Sequence, residues 1–514
     1  MNNKIAKNII FSAVGFAWPL ALMIFTTPIV VHGLGDDWYG VWILISNILS
    51  YLTVFNAAQT AGVKYLSEFL ALKDDRKVGS LIFTSFCIYL AVGILSAVGI
   101  WFGADAITSS FFKIPAQYVA ESRFAFQLSA ISFLFTALGW WSSSILSGLQ
   151  RYDLLSVVAL ISATLLNAGN ALLVHLGYGV TSMMVLTICS LALSFVLMVI
   201  LSWRTLAGVR QYLRFDLTVF KQVLSFAAFS LLQTLFAIIT FQLDKTVLGV
   251  WIGVSALPFY SIPLSLAQRV HQLCAKAMEY VTPLTSELTT QKQFDKLRYI
   301  YTRSQMINNV IVVLFAMPLF VYANSIMAVW MDPSFAEKST TVFRILVAGY
   351  AIMASNIVSS SVAAGVGHPE VNTAFALLLG ATSITGYYLF IPTYGIEGAG
   401  ISNLISFFIS VGVLIIFVNQ KYLQVNFLRL FREAYSRPLL IGVVVGLAAW
   451  WTTGYISNMF VLLVFLALTC STYLVGVYFF GRLAPEEKAV IHSNLQAILH
   501  LRFNGGKPGL RKLF

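Results

Sequence analysis

Long apolar stretches alternate with short polar joints along the whole chain. Each stretch holds roughly 20 residues, which is the length of an α-helix that crosses a bilayer. The pattern therefore predicts an all-α, polytopic membrane protein with about fourteen transmembrane helices. The predicted spans are 9–31, 39–62, 79–103, 123–147, 154–175, 180–203, 220–242, 255–285, 304–330, 342–365, 371–392, 396–418, 438–455 and 458–481.

The eighth span is the hardest to place. The apolar run from Thr246 to Leu266 continues into a segment that contains Arg269, Lys276 and Glu279. We predict that the helix begins late, and that 243–254 is a joint. Composition supports the membrane assignment, because 59% of the 514 residues are hydrophobic and only 10% are charged. Soluble domains contain about 25% charged residues.

The basic residues indicate which side of the membrane each joint faces. Of the 32 Lys and Arg residues, 25 fall on one side of the predicted spans, 5 on the other and 2 within a span. Basic joints stay cytoplasmic, so both termini are predicted to be cytoplasmic, with a basic tail at 482–514. The formal charge of +12 then needs no nucleic-acid partner, because it lies beside anionic lipid headgroups.

The chain also contains an internal repeat. The heptad SSSILSG at 142–148 resembles SSSVAAG at 359–365, and the two are 217 residues apart. Each heptad leads into an apolar helix, and these helices end at Tyr178-Gly179 and at Tyr394-Gly395, which are 216 residues apart.

An earlier and looser match pairs Leu34-Gly35 with Leu248-Gly249, and Tyr39 with Tyr260. An offset near 217 covers six spans, which predicts two six-helix lobes related by a parallel repeat, at 1–215 and 216–430. Two additional helices follow at 431–481. In transporters built this way, the substrate path lies between the lobes, which rock to give alternating access.

Four polar residues in the eighth span share one helical face, because Arg269, Gln272, Lys276 and Glu279 are spaced by 3, 4 and 3 residues. Charges inside a span cost several kcal/mol unless they face water or a partner. One interpretation is that they form a cationic cavity wall that holds a diphosphate or acidic sugar, with Glu279 accepting a proton or pairing with Lys276. Alternatively, they form a structural salt bridge, or lie in a cytoplasmic joint.

Three further charges are candidates. Asp244-Lys245 closes the seventh span, so Asp244 is either an ion-coupling residue in a lobe-to-lobe latch or part of an interfacial anchor. Arg123 and Arg344 begin the fourth and tenth spans and are 221 residues apart. They either contact substrate at the outer cavity mouth or extend to lipid headgroups.

Motifs for nucleotide hydrolysis and for hydrolytic enzymes are missing from the sequence. It contains no GxxxxGK[ST], HExxH or GxSxG motif, and its four cysteines all fall within predicted spans without metal-ligand spacing. The sequence thus predicts a transporter rather than an enzyme, with no cofactor and no metal.

Several motifs resemble the polysaccharide and O-antigen flippases. They are LG at 34–35 with WYG at 38–40, SE at 67–68, GLQRY at 148–152 and GIEGA at 395–399. The resemblance covers nearly the whole chain and implies membership of the multidrug/oligosaccharidyl-lipid/polysaccharide exporter superfamily, with twelve or fourteen helices in two lobes. Related drug exporters usually carry a carboxylate in the first helix, and this sequence has none there.

The resemblance implies flipping of an undecaprenyl-diphosphate-linked oligosaccharide to the outer leaflet of a bacterial inner membrane. Implied partners are this lipid-linked substrate, membrane lipids, a polysaccharide polymerase and a chain-length regulator. Two alternatives are an ion-coupled multidrug exporter of the same superfamily and a non-transporting scaffold for polysaccharide synthesis.

Overall fold

Helices account for all the regular secondary structure in the part of the chain that the computed structural model describes, which is residues 2–481. Side chains are described except at 2–17, 57, 204–205, 207, 228–233, 236–237 and 239–240. The predicted all-α class is confirmed, whereas the predicted basic tail at 482–514 lies outside the described residues. The helices are α1 Asn2–Tyr51, α2 Ala57–Ala71, α3 Asp75–Ala106, α4 Val119–Gly148, α5 Tyr152–His175, α6 Val180–Thr205, α7 Leu217–Trp251, α8 Leu257–Ala277, α9 Val281–Thr290, α10 Phe294–Val321, α11 Ala323–Trp330, α12 Pro333–Ser355, α13 Ile357–Gly365, α14 Glu370–Val418, α15 Phe427–Leu430, α16 Ser436–Trp450 and α17 Met459–Phe480.

Nine segments of the described residues are long and apolar enough to cross a membrane. Two of them, Trp18–Ala71 and Glu370–Leu423, are 54 residues long, which is more than twice the roughly 20 residues that a single crossing needs. Each is interrupted by one glycine outside the helical region, Gly35 at φ 77° and Gly395 at φ 56°. The polytopic character is confirmed, and the number of fourteen crossings stays a prediction.

The predicted joint at 243–254 is wrong, because α7 continues through it to Trp251. The residues from Thr246 onward are apolar and continue the helical hydrogen bonding, as in the bond from Ile252 N to Leu248 O at 2.9 Å. The chain turns only at Gly253, whose φ of 124° favours glycine. The eighth span is also shorter than predicted, because α8 ends at Ala277 and a separate helix, α9, follows.

The backbone repeats along the chain with the period expected from the sequence. Nine described residues have positive φ, and eight of them form four pairs separated by 217 to 219 residues. The pairs are Gly35 with Gly253, Lys73 with Lys292, Gln150 with Gly367, and Gly177 with Gly395. The equivalent of Gly35 is therefore Gly253, which corrects the looser sequence match to Gly249.

The repeated heptads have a packing role. Each ends in a glycine against a short neighbouring helix: a Cβ on Gly148 would lie 2.7 Å from the Leu66 side chain, and one on Gly365 would lie 2.6 Å from Thr285 Cβ. Leu66 in α2 and Thr285 in α9 are themselves 219 residues apart. The same close contact is thus made in each copy of the repeat.

The described chain separates into two compact units. Unit 1 contains the residues up to Ser265 together with Thr373–Ser406, and unit 2 contains Leu266–Asn372 and the described residues from Phe407 onward. These units follow packing, whereas the predicted lobes 1–215 and 216–430 and the appended helices at 431–481 follow the repeat. The lobe bounds therefore stay a prediction.

In both units, buried side chains donate hydrogen bonds to backbone carbonyls of neighbouring helices. In unit 1, the buried Trp141 of α4 donates from Nε1 to Ile82 O at 3.0 Å and packs edge-on against Phe86 of α3. In unit 2, amide side chains of α10 bond to backbone carbonyls, as Asn308 does to Ala354 O at 2.9 Å and Asn309 to Ala434 O at 3.0 Å. Such bonds satisfy polar groups where water is scarce.

Candidate functional site

Asp244 is a buried carboxylate within α7, with only 2% of its surface exposed. The hydroxyl of Tyr260 in α8 donates to Asp244 Oδ2 at 2.6 Å, and the backbone N–H of Lys245 donates to Oδ1 at 2.8 Å. A buried ionised group is expensive unless hydrogen bonds replace its hydration. The sequence pattern placed Asp244 beyond the end of the seventh span, whereas in the structure it lies within α7.

The hydrogen bonds continue from Tyr260 into α14. Asn403 Nδ2 donates to the Tyr260 hydroxyl at 3.0 Å, and the Tyr387 hydroxyl donates to Asn403 Oδ1 at 2.6 Å. All of these side chains are buried, and all belong to unit 1. We name these four residues, Asp244, Tyr260, Asn403 and Tyr387, the Asp244 network.

The Asp244 network has a direction. Each donor points toward the Asp244 carboxylate, so the hydrogen bonds polarise one another in one direction. The network also spans both interruptions of the second repeat, because Asp244 and Tyr260 flank Gly253 while Tyr387 and Asn403 flank Gly395. Protonation of one carboxylate would therefore weaken hydrogen bonds that join four helical segments.

A second polar group lies one turn from the Asp244 network. Thr246 Oγ1 accepts from Asn47 Nδ2 at 2.8 Å and lies 2.8 Å from the Tyr51 hydroxyl. Both partners are in α1, and Asn47 is 3% exposed. These contacts hold the C-terminal part of α7 against α1 beside the carboxylate.

The predicted cationic stripe lies on α8, and its members pair locally. Arg269 is half-buried and donates from Nη1 to Gln272 Oε1 at 2.8 Å, while its buried Nε has no hydrogen-bond partner. Lys276 Nζ lies 2.6 Å from Glu279 Oε2, with both side chains more than 60% exposed. This ion pair joins neighbours three residues apart, so it does not fix α8 to another helix.

Arg123 and Arg344 each have a partner in their own unit. Arg123 forms an ion pair with Asp105 at 3.0 Å, and both side chains are at least half exposed. The guanidinium carbon of Arg344 lies 4.8 Å from the ring centroid of Trp450, and Arg344 Nε donates to Phe320 O at 3.4 Å. None of these partners is a stripe residue.

Three members of the Asp244 network were missed by sequence reasoning, namely Tyr260, Tyr387 and Asn403. Single polar residues in apolar spans are common and usually form hydrogen bonds between helices, so none stood out. The informative signal is the repeat, because the positions 218 residues earlier are Trp42, Gly169 and Val185. A polar residue confined to one copy of a repeat would have indicated the site.

Comparison with solved structures identifies the fold. The fold is similar to the lipid II flippase MurJ in an inward closed conformation, with TM-score 0.72 and 16% identity over 92% of this chain and 98% of that chain. It is also similar to an inward-facing multidrug resistance MATE family transporter of the MOP superfamily, with TM-score 0.70 and 13% identity over 80% and 97% of the two chains. The chain thus has the fold of these two proteins, and the nine candidate spans in its described part are those of a polytopic membrane protein.

Sequence comparison identifies the family. The model of the family described as "Polysaccharide biosynthesis protein" matches residues 34–339, which is more than half of the chain, so the chain belongs to this family. It is 20% identical over 415 residues to a "Putative O-antigen transporter" of Shigella flexneri, covering 78% of this chain and 94% of that protein. It is likewise 20% identical over 467 residues to an uncharacterized membrane protein of Methanocaldococcus jannaschii, covering 86% and 88%. The family resemblance predicted from the motifs is confirmed.

Proposed function

We propose that this protein is a flippase that moves an undecaprenyl-diphosphate-linked oligosaccharide from the cytoplasmic to the periplasmic leaflet of a bacterial inner membrane. Surface polysaccharide, whether O-antigen, capsule or exopolysaccharide, is then assembled outside. The observation that carries this proposal is membership of the polysaccharide biosynthesis family in a chain with the transporter fold. The protein moves its substrate and does not convert it.

Transport proceeds by alternating access between two lobes of helices. The diphosphate and sugars enter a polar cavity, and the polyprenyl tail stays in the lipid. The candidate substrate-binding residues are the stripe residues Arg269, Gln272 and Lys276, together with Arg123 and Arg344. Guanidinium and ammonium groups suit a diphosphate because they donate several charge-assisted hydrogen bonds.

Asp244 couples transport to an ion, and the ion that its surroundings fit is a proton. Its carboxylate is buried at the end of a directed chain of donors, so a change in its charge alters contacts along α7, α8 and α14. Glu279, the second candidate, is exposed and paired with Lys276. A proton taken up by Glu279 would alter one local ion pair, whereas one taken up by Asp244 would alter the whole network.

Both termini are cytoplasmic in this proposal, and a polysaccharide polymerase and a chain-length regulator are the partners that receive the product. A second candidate function is multidrug export, which the fold similarity to a MATE family transporter favours. The two functions differ in the phenotype of a deletion strain. Loss of drug resistance with intact surface polysaccharide is expected for an exporter, and loss of polymer for a flippase.

The test is to delete the gene and complement it with wild type, with Arg269→Ala/Lys276→Ala, or with an exposed control, Lys296→Ala. Surface polysaccharide is measured together with the leaflet location of the lipid-linked intermediate. We expect intermediate trapped on the cytoplasmic leaflet, rescued by wild type and control but not by the double variant. Normal polymer in the deletion strain would refute the flippase. Full rescue by a folded double variant would instead point to a scaffold or to other binding residues.

A further inference from the structure

A cavity of about 600 Å³ opens in unit 1 between α2 and the start of α7. None of its lining residues belongs to the Asp244 network or to the stripe. Its walls combine one cation and several hydrogen-bonding groups with apolar carbons. The lining residues are Tyr65, Leu217, Thr218, Lys221, Gln222, Ser225 and Phe226.

A second cation lies at the rim of this cavity. The ammonium of Lys64 is 4.8 Å from the ring centroid of Phe226 and 5.0 Å from that of Tyr65, and both rings line the cavity. Among the described residues, neither Lys64 nor Lys221 forms an ion pair with a carboxylate. Two positive charges therefore lie at one cavity, and neither is within ion-pair distance of a described carboxylate.

The acidic residue nearest to the cavity along α7, Asp216, already accepts hydrogen bonds from the start of this helix. Asp216 caps this helix, and its Oδ1 accepts from the backbone N–H groups of Thr218 at 2.8 Å and Val219 at 3.3 Å. These bonds hold the pKa of Asp216 below its usual range. The carboxylate thus satisfies the helix end, and side chains rather than free backbone amides supply the donors of the cavity.

We propose that this cavity binds the phosphate group of an anionic amphiphile. Lys64 and Lys221 contact the phosphate oxygens, and Gln222 and Ser225 donate hydrogen bonds to them. Leu217 and Phe226 cover the first apolar carbons beyond the phosphate. Both lysines are on the predicted cytoplasmic side, where a lipid-linked diphosphate would be loaded, and only this identity of the phosphate carrier rests on the proposed function.

The test uses the full chain in nanodiscs of neutral lipid, with farnesyl diphosphate as a soluble isoprenoid probe. Lys64→Gln/Lys221→Gln is compared with wild type and with Lys296→Gln, which removes an exposed lysine of α10 that does not line the cavity. We expect the double variant to bind the probe at least about tenfold more weakly, from about 1 kcal/mol for each lysine near a phosphate surface. The control should bind like wild type.

Two further probes identify the carrier of the phosphate. If inorganic pyrophosphate displaces farnesyl diphosphate at equal concentration, the site recognises the free anion. If only phosphatidylglycerol in the discs competes, it recognises a phospholipid headgroup. Failure of wild type to bind any of the three probes, or equal binding by wild type and the double variant, would overturn the proposal.

The outcome can be separated from that of the flippase proposal. Both lysines are exposed, so the double variant should unfold at the same temperature as wild type. A binding defect in a protein whose deletion leaves surface polysaccharide normal would keep the site and refute the flippase. Normal binding by the double variant, in a protein whose deletion traps lipid-linked intermediate, would refute the site and keep the flippase.

Discussion

The two copies of the repeat share a backbone but differ in chemistry at equivalent positions. Each residue of the Asp244 network has an equivalent 218 residues earlier, and those equivalents form no such network. They are Thr26, Trp42, Gly169 and Val185. Thr26 donates to a carbonyl of its own helix, Leu22 O, at 2.9 Å, and Trp42 packs against an apolar cluster that includes Val30 and Met183.

This difference distinguishes the features that maintain the shared backbone, here called the frame, from the features that serve the function. The positive-φ residues and the close-packed glycines occur in both copies, so they belong to the frame. The buried carboxylate and its donors occur in one copy, and a buried charge is costly to keep. A costly feature that the other copy lacks is therefore the best candidate for the coupling chemistry.

The largest effect is expected for Asp244→Asn. The amide keeps the shape and can accept from Tyr260, but its charge no longer changes with pH. We expect transport to fall by about 5- to 150-fold, the range of a typical coupling free energy, and its pH dependence to flatten. The measurement is flipping of lipid-linked substrate in proteoliposomes at several pH values.

Thr26→Val, at the equivalent position of the first copy, is the control for Asp244→Asn and should transport like wild type. If Asp244→Asn retains the wild-type pH profile, the carboxylate is not the coupling group. The functional difference between the copies would then lie elsewhere.

Tyr260→Phe tests the next contact. It removes the hydroxyl that donates to Asp244 and accepts from Asn403, and a hydrogen bond to a charged group contributes about 1.5–3 kcal/mol. We expect the free energy of unfolding in detergent to fall by about that amount. Tyr39→Phe is the control, because the Tyr39 hydroxyl has no hydrogen bond within the described residues, and equal losses in both variants would contradict the network.

The heptad glycines allow a comparison of packing. Gly365→Ala should destabilise by about 1–3 kcal/mol, because the new Cβ would lie 2.7 Å from the backbone oxygen of Thr282. Gly148→Ala should cost less, since its nearest atom is a terminal methyl of Leu66, which can move. Thermal unfolding of the two variants measures the difference, and the reverse order would show that α2 is the more rigid neighbour.

The smallest effect is expected at Lys73 and Lys292, which have φ near 55° in both copies. The left-handed region costs a lysine roughly 1–2 kcal/mol, and glycine loses about 0.5–1 kcal/mol in chain entropy. Each Lys→Gly substitution should therefore stabilise by about 0.5 kcal/mol, equally in the two copies. Lys296→Gly, inside α10, should instead destabilise by about 1 kcal/mol.

The sequence predicted the helices better than the breaks between them. Apolar length alone specifies a span, so 154–175 and 458–481 agree closely with α5 and α17. The joint at 243–254 was misplaced because Asp244 and Lys245 resemble the polar end of a helix. In the structure, Tyr260 satisfies Asp244 from another helix, and no local pattern carries that information.

The candidate site was predicted only in part for the same reason. The spacing of Arg269, Gln272 and Lys276 shows that they share a helix face, and α8 has that face. It also allowed the pair of Lys276 with Glu279, but it could not show that Glu279 lies beyond the end of α8 or that Asp244 is buried. Contacts such as Tyr260 to Asn403 join residues 143 positions apart and depend on the packing of whole helices.

The single-residue interruptions at Gly35 and Gly395 have a mechanical consequence. A connection of one residue has only two freely rotating dihedral angles, so it restricts how the two helical halves can move relative to each other. A rotation of one half of α1 or α14 is therefore transmitted almost completely to the other half. The eleven-residue segment 206–216 between α6 and α7, by contrast, can absorb a rotation without transmitting it.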